Sequence, residues 1–321
     1  MEARYLERKN IDIAAWDALV GASPQGSIFC LSWYIDAVAD NDWSGIMVYE
    51  GDVLQTVFPL MVREKYTLKY ALQPVLAKYW GACFANLSFK NTYEEFSWKR
   101  SVIDEILKLI PALCLIKYNL HPAMDYALPF QNHGFTLKAR YSFSLAIDLP
   151  FEIIENGFAR QLRRNLQKAT QNDFEILPDQ DFEQVFPIFK NNENAGRQMG
   201  DNKFFPAFKR VCEAGKSHDS FFGLSAKNNK GETVAYCAFL RDNHTTYALL
   251  NVVEPALRDS GAASLVMKEG IRHAQTSTTR FDFTGGALNE QFERFFRSFG
   301  ARPLPYLSIE KVKFPFSLFL K

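Results

Sequence analysis

No run of apolar residues in this sequence approaches the ~20 that a membrane-spanning helix needs, so no span is expected. Net charge is nearly missing too: 37 Lys and Arg against 36 Asp and Glu leave +1, with no global field to draw the protein to DNA or to an anionic surface. The cysteines, Cys30, Cys83, Cys114, Cys212 and Cys237, are scattered and form no C-x-x-C pair, a pattern that fits reduced core thiols and gives no disulfide framework. None of the histidines pairs with Cys or with another His at ligand spacing, so no metal site is expected. A G-x-S-x-G elbow is also missing, which argues against a Ser-His-Asp hydrolase. The segment Met1 to Lys9 is charged with no apolar stretch behind it and does not read as a secretory signal, so the expected location is cytoplasmic.

What the chain has in quantity is phenylalanine, 29 residues, which supplies large burial per side chain. With 47% hydrophobic and 23% charged residues over 321 positions, the composition is that of a globular protein long enough for two domains. Pro150 marks the expected boundary, giving domains 1–150 and 151–321. In the first, apolar spacings of three and four predict helices over 11–20 and 32–40, then a hairpin of strands 46–49 and 54–58 around Glu50-Gly51-Asp52. A loop is expected from Thr67 through Gln73-Pro74 to Trp80-Gly81, then a helix over 93–109 stopped before Pro111, and strands over 114–120 and 141–149.

The second half predicts one basic helix over 152–171, helices over 182–191 and 203–214, and strands over 221–226, 233–240 and 245–252. A helix over 262–275, a strand over 280–283, a helix over 291–298 and a last strand over 304–313 follow. Each half runs helices, hairpin, crossover helix and strand. That order calls for a parallel strand pair within an α/β (α+β, mixed-sheet) architecture covered by helices.

Three places carry chemistry. Arg258-Asp259-Ser260-Gly261-Ala262-Ala263-Ser264 follows a strand and opens a helix, where backbone N–H groups and the helix dipole hold an anion. Asp282 lies between Phe281 and Phe283, so strand alternation sets its carboxylate on the face opposite the two rings, ahead of Gly285-Gly286; it reads either as a turn cap or as a group that meets the substrate amine. Arg163 and Arg164 lie five and four residues before Lys168 on the basic helix, either as a solvated face or turned to one phosphate-bearing group.

These residues resemble the GNAT (N-acetyltransferase) superfamily, on the tandem-domain branch that includes the Fem-type aminoacyl transferases. Arg258-x-x-Gly261-x-Ala263 matches the element by which that superfamily holds the pyrophosphate of acyl-coenzyme A. Phe281 to Gly286 with Phe295, Phe299-Gly300 and Tyr306 resembles the closing part of Fem-like proteins, and Gln73-Pro74, Lys78-Tyr79-Trp80-Gly81 and Asn119-Leu120-His121-Pro122 resemble their first domain. The resemblance implies two tandem GNAT-like domains, the first on the acceptor side and the second binding the donor, and an N-acyltransferase that moves an acyl group from acyl-CoA (acetyl-CoA) to a small-molecule or peptide amine. Arg258, Ser260, Gly261, Ala262, Ala263 and Ser264 would hold the donor. Gln73, Tyr79, Trp80, Arg163, Arg164, Lys168 and Asn251 would hold the acceptor. Glu254 would take the amine proton, Asp282 would serve catalysis or bind the amine, and Tyr306 would protonate the leaving thiolate. For Glu254 a solvated loop acid, for Tyr306 a core phenol and for Trp80 buried packing stand beside those roles. Two alternatives accompany this reading: a Fem-type transferase using aminoacyl-tRNA on a cell-wall precursor, disfavoured because no heptad stretch matches the RNA-binding arm of that type, and a degenerate domain that binds without chemistry. On the donor reading, Gly261→Asp is expected to remove coenzyme A binding and to leave the fold largely intact.

Overall fold

The computed structural model describes residues 1–178, 185–190, 201–284 and 290–313. The chain divides into two compact units, one of Met1–Arg140 joined by the chain from Pro305 onward, the other of Tyr141–Leu304.

In the first unit, strand β1 (Glu2–Glu7) leads to α1 (Ile13–Ala22), whose N-terminus is capped by Asp12 accepting from Ala15 N, and to α2 (Ser32–Ala39). Strands β2 (Ser44–Glu50) and β3 (Val53–Leu60) form the expected hairpin, with Gly51 at φ +58 in the turn. After β4 (Val62–Lys65), β5 (Leu68–Leu72) and β6 (Cys83–Phe84), helix α3 (Thr92–Leu109) starts on Asn91, whose side chain accepts from Glu94 N at 2.9 Å. Glu94 and Glu95 in its first turn and Lys108 in its last complement the helix dipole, and Ile110, the residue before Pro111, is extended. This helix is a crossover: β7 (Leu115–Asn119) lies parallel to β5, with Tyr70 opposite Leu115 and Leu72 opposite Lys117. Helix α4 (Leu128–Asn132) and strand β8 (Thr136–Ala146) follow, and β8 carries the chain into the second unit. Trp16, Phe29, Tyr34, Phe58, Trp80, Tyr118 and Phe130 are fully buried in this unit.

The second unit opens with α5 (Phe151–Asn156) and α6 (Arg160–Gln171), then β9 (Glu175–Pro178), α7 (Phe186–Lys190), α8 (Asp201–Ser217) and the antiparallel strands β10 (Phe221–Lys227), β11 (Thr233–Arg241) and β12 (Thr245–Val253). Helix α9 (Ala262–Ala274) crosses over to β13 (Arg280–Asp282), which lies parallel to β12 and antiparallel to β8. Gly270 of α9 lets the helix settle on β11, because a Cβ there would fall 2.1 Å from the Phe239 ring. Phe143, Phe239, Phe281, Phe283, Phe296 and Phe299 form the aromatic heart of this core; full burial of each such ring is worth about 1.5–3 kcal/mol. After α10 (Glu290–Ser298), strand β14 (Arg302–Val312) returns to the first unit and pairs antiparallel with β7, Glu310 opposite Lys117.

Each unit thus holds one parallel pair made by a crossover helix, within mixed sheets flanked by helices, as the α/β reading requires. Several expectations need correction. The single helix over 152–171 is two helices, because Gly157 ends α5 and the buried Phe158 turns into the core before α6 begins. The expected loop from Thr67 contains strand β5, one of whose edges is used by β4 and the other by β7. The helix read over 182–191 is described only as 186–190, and the Gly285-Gly286 turn lies outside the described residues. Among the described residues no helix is long and apolar enough to cross a membrane.

Candidate functional site

The second unit places the anion-binding motif at a strand end. Strand β12 is interrupted by a bulge at Leu249, since Ala238 faces Leu250 while the next residue, Phe239, faces Ala248. Its parallel ladder with β13 covers the whole of that short strand, Thr245, Thr246 and Tyr247 facing Arg280, Phe281 and Asp282, and among the described residues no strand pairs with that edge of β12 from Leu249 to Val252. Beyond it β12 runs on to the 3-10 turn Pro255–Leu257 and to Gly261, at φ +88, where α9 starts. An unpaired strand edge and a helix N-terminus therefore lie in sequence along one path.

The loop before α9 is held from both sides. Ser260 Oγ donates to Leu257 O at 2.6 Å and accepts from Ala262 N at 3.3 Å. On the other side α6 grips it: Lys168 Nζ donates to Asp259 O at 3.4 Å and Asn172 Nδ2 to Ser260 O at 3.3 Å. The approach is so close that a Cβ on Gly261 would lie 2.0 Å from the Asn165 carbonyl oxygen. This corrects the reading of Gly261. Glycine there answers to its left-handed backbone and to the α6 backbone, so Gly261→Asp cannot leave the fold intact. Arg258 and Ala263 face outward in varying degree, whereas Ala262 and Ser264 are buried. Arg163 reaches the Asn156 carbonyl at 2.7 Å, and Arg164 is exposed on the same helix. Asn251 is exposed on β12 and Glu254 is half-buried just past its end, its N–H bonded to Val234 O at 2.8 Å.

Asp282 is 2% exposed. Its Oδ1 accepts from Ser142 Oγ at 2.6 Å and from Thr284 N at 2.8 Å, the second being the turn-capping bond of one of its two readings. Neither Ser142 nor Thr284 stood out in the sequence; Ser142 lies 140 residues upstream and only the β8–β13 pairing brings it here.

The remaining residues gather in the first unit. Gln73 stitches its own loop, accepting from Asn119 N at 2.7 Å through Oε1 and donating through Nε2 to the carbonyls of Ala77 and Lys78. Trp80 is wholly buried and donates its indole N–H to Pro59 O at 3.1 Å. Tyr79 meets Tyr306 edge to face at 5.5 Å and His121 at 5.2 Å. Lys78, which sequence reasoning did not assign a role, donates to Tyr306 Oη at 3.3 Å and lies 4.8 Å from the centre of its ring. Tyr306 thus belongs with Lys78 and Tyr79, on the strand segment that completes the first unit.

The five thiols are free, and burial alone pushes that of Cys237 well above its ordinary value, which removes it as a nucleophile. Among the described residues no three His, Cys, Asp or Glu side chains gather as metal ligands.

Residues 156–296 match the model of the acetyltransferase (GNAT) domain, a span that holds α6, β12, α9 and β13. Over that span the chain is similar to the GNAT acetyltransferases. Its tandem, Fem-related fold recurs in solved structures across nearly its whole length. FemX superposes with a TM-score of 0.69 at 14% identity, covering 100% of both chains. A tandem GNAT protein from the clavulanic acid biosynthesis pathway gives 0.60 at 8% identity, covering 97% of this chain and 98% of its own. The C-terminal domain of a putative lysylphosphatidylglycerol synthetase from Agrobacterium fabrum gives 0.56 at 13% identity, covering 96% and 94%. At these identities the likeness is one of fold. No curated protein matches this chain in sequence.

Proposed function

We propose that the protein is an N-acyltransferase that moves an acyl group from acyl-CoA to an amine. The observation that carries this reading is the edge of β12 from Leu249 to Val252, which no strand pairs with among the described residues, leading to the positive-φ start of α9. An acyl-CoA is a pyrophosphate joined to an extended arm with two amide groups. A helix N-terminus suits the first, and an unpaired strand edge suits the second by the hydrogen bonding that adds a strand to a sheet. Arg258 and the N–H groups from Gly261 to Ser264 are assigned to the pyrophosphate. Lys168 holds the loop that presents them, and Arg164 adds positive charge from α6.

Attack by the amine on the thioester forms the C–N bond, breaks the C–S bond and leaves one proton on nitrogen and an electron pair on sulfur. Glu254 is assigned the proton from nitrogen, directly or through water, with Asn251 orienting the acceptor, and solvent returns a proton to the thiolate.

The whole-chain likeness to FemX favours a second reading, in which the donor is an aminoacyl-tRNA of the Fem type. Calorimetric titration with acetyl-CoA, beside filter retention of aminoacyl-tRNA, separates the two. Saturable binding of acetyl-CoA in the micromolar range with thiol release on adding amines is the expected result. No binding of acetyl-CoA together with retained tRNA overturns it in favour of the second reading, and silence in both leaves a binding domain without this chemistry.

A further inference from the structure

The end of the β12–β13 ladder is built around Thr284. Phe283 keeps to the β8 side, its N–H donating to the Phe143 carbonyl at 3.0 Å as the alternation of the strand directs, so the next group to face β12 past Asp282 belongs to Thr284. Thr284 then adopts φ +50, a region that β-branched residues rarely enter. Three hydrogen bonds hold it there. Thr284 N donates to Asp282 Oδ1 at 2.8 Å, the same oxygen accepts Ser142 Oγ at 2.6 Å, and Thr284 Oγ1 donates to the Ala248 carbonyl. That carbonyl lies one residue past the last ladder pair and one residue before the bulge at Leu249. A side-chain hydroxyl therefore occupies the point where the next strand-to-strand bond would form. Strained backbone of this kind persists only where its surroundings over-determine it, and it is concentrated at functional sites.

We infer that Thr284 is a positioning residue whose hydroxyl ends the β12–β13 ladder and keeps the β12 edge open for the amide-bearing arm of the acyl donor, with Asp282 and Ser142 locking it in place. The inference rests on the acyl-CoA reading above and gives Asp282 a concrete role, since its carboxylate takes the Thr284 N–H that would otherwise extend the ladder. The hydroxyl is specific to this function. Valine keeps the shape of threonine and cannot make the bond to Ala248, while serine can.

The test is calorimetric titration of wild type, Thr284→Val and Thr284→Ser with two probes, acetyl-CoA and its nucleotide fragment 3′-phospho-ADP, which reaches the helix N-terminus and lacks the arm. Expected are a Kd for acetyl-CoA raised roughly tenfold in the valine variant, as loss of one hydrogen bond implies, an unchanged Kd for the fragment, and recovery in the serine variant. If the valine variant melts below the assay temperature, Thr284→Gly, which accepts the positive φ and deletes the hydroxyl, is expected to show the same split. Equal weakening of both probes, no weakening of either, or failure of serine to restore binding overturns this inference alone. Wild type that binds neither probe overturns the donor reading first, and this inference with it.

Discussion

Replacing Gly261 with alanine tests the joint between α6 and α9. The added Cβ would lie 2.0 Å from the Asn165 carbonyl oxygen, 2.9 Å from its carbon and 3.0 Å from Ala169 N, all backbone atoms of a regular helix rather than the yielding end of a side chain. Holding an L-residue at φ +88 costs about 1–2 kcal/mol, and forcing the helices apart adds about 1–3 kcal/mol. The sum, roughly 2–5 kcal/mol, corresponds to a midpoint lowered by roughly 5–15 °C for a unit of this size. Thermal unfolding followed by far-UV circular dichroism reads this directly. Because Lys168 and Asn172 hold the same loop, the variant is also expected to lose affinity for acetyl-CoA in proportion to how far the loop moves. A Gly261→Ala protein that melts within about 1 °C of wild type would refute the reasoning, since no repacking that cheap can absorb both terms.

Asp282→Ala leaves the Ser142 hydroxyl and the Thr284 N–H without their buried acceptor and is expected to cost about 2–4 kcal/mol in urea denaturation; a loss below about 1 kcal/mol would show that these bonds are dispensable. Glu310 accepts from Lys138 at 2.6 Å, which holds its carboxyl below the usual range against the opposing effect of burial. A depressed carboxyl contributes stability above its unfolded value of about 4.3, and that contribution fades as pH falls through the lower folded value. Wild type is therefore expected to exceed Glu310→Gln by up to about 1 kcal/mol at pH 7, with the gap closing in acid below the unfolded value; a gap that persists in strong acid would contradict this.

Much of this architecture was legible because its signals are local. Gly51 between two apolar strands, the apolar spacing over 93–109 ahead of Pro111 and Gly261 before the helix at 262 each announce an element within a few residues. Strand β1 escaped because most of Glu2–Glu7 is exposed, so no alternation of apolar and polar residues marks it. Strand β5 escaped because its place depends on β4 and β7 pairing on either side, the second of them more than forty residues away. The break at Gly157 was hidden by the strongly helical residues around it, and only the burial of Phe158 reveals why the chain turns there. At the site, the Arg258 to Ser264 segment could be located from sequence, but the reason for its glycine could not, since Asn165 lies almost a hundred residues upstream. Asp282 was visible; its partners Ser142 and Thr284, through which it acts, were not. The Lys78–Tyr306 pair spans 228 positions and has no local signature at all.

The return of β14 has a consequence for how the polypeptide is made. Strand β7 needs the segment Ser308–Val312 to cover one of its edges, yet that segment leaves the ribosome after every residue of the second unit. The unit whose synthesis begins first is thus the last to be completed, and β7 waits as an open edge while roughly 190 further residues emerge. Cutting the gene near Pro150 would leave that edge permanently bare, so the nascent chain's greatest exposure to mispairing falls in the half that looks, in linear order, as though it had already finished.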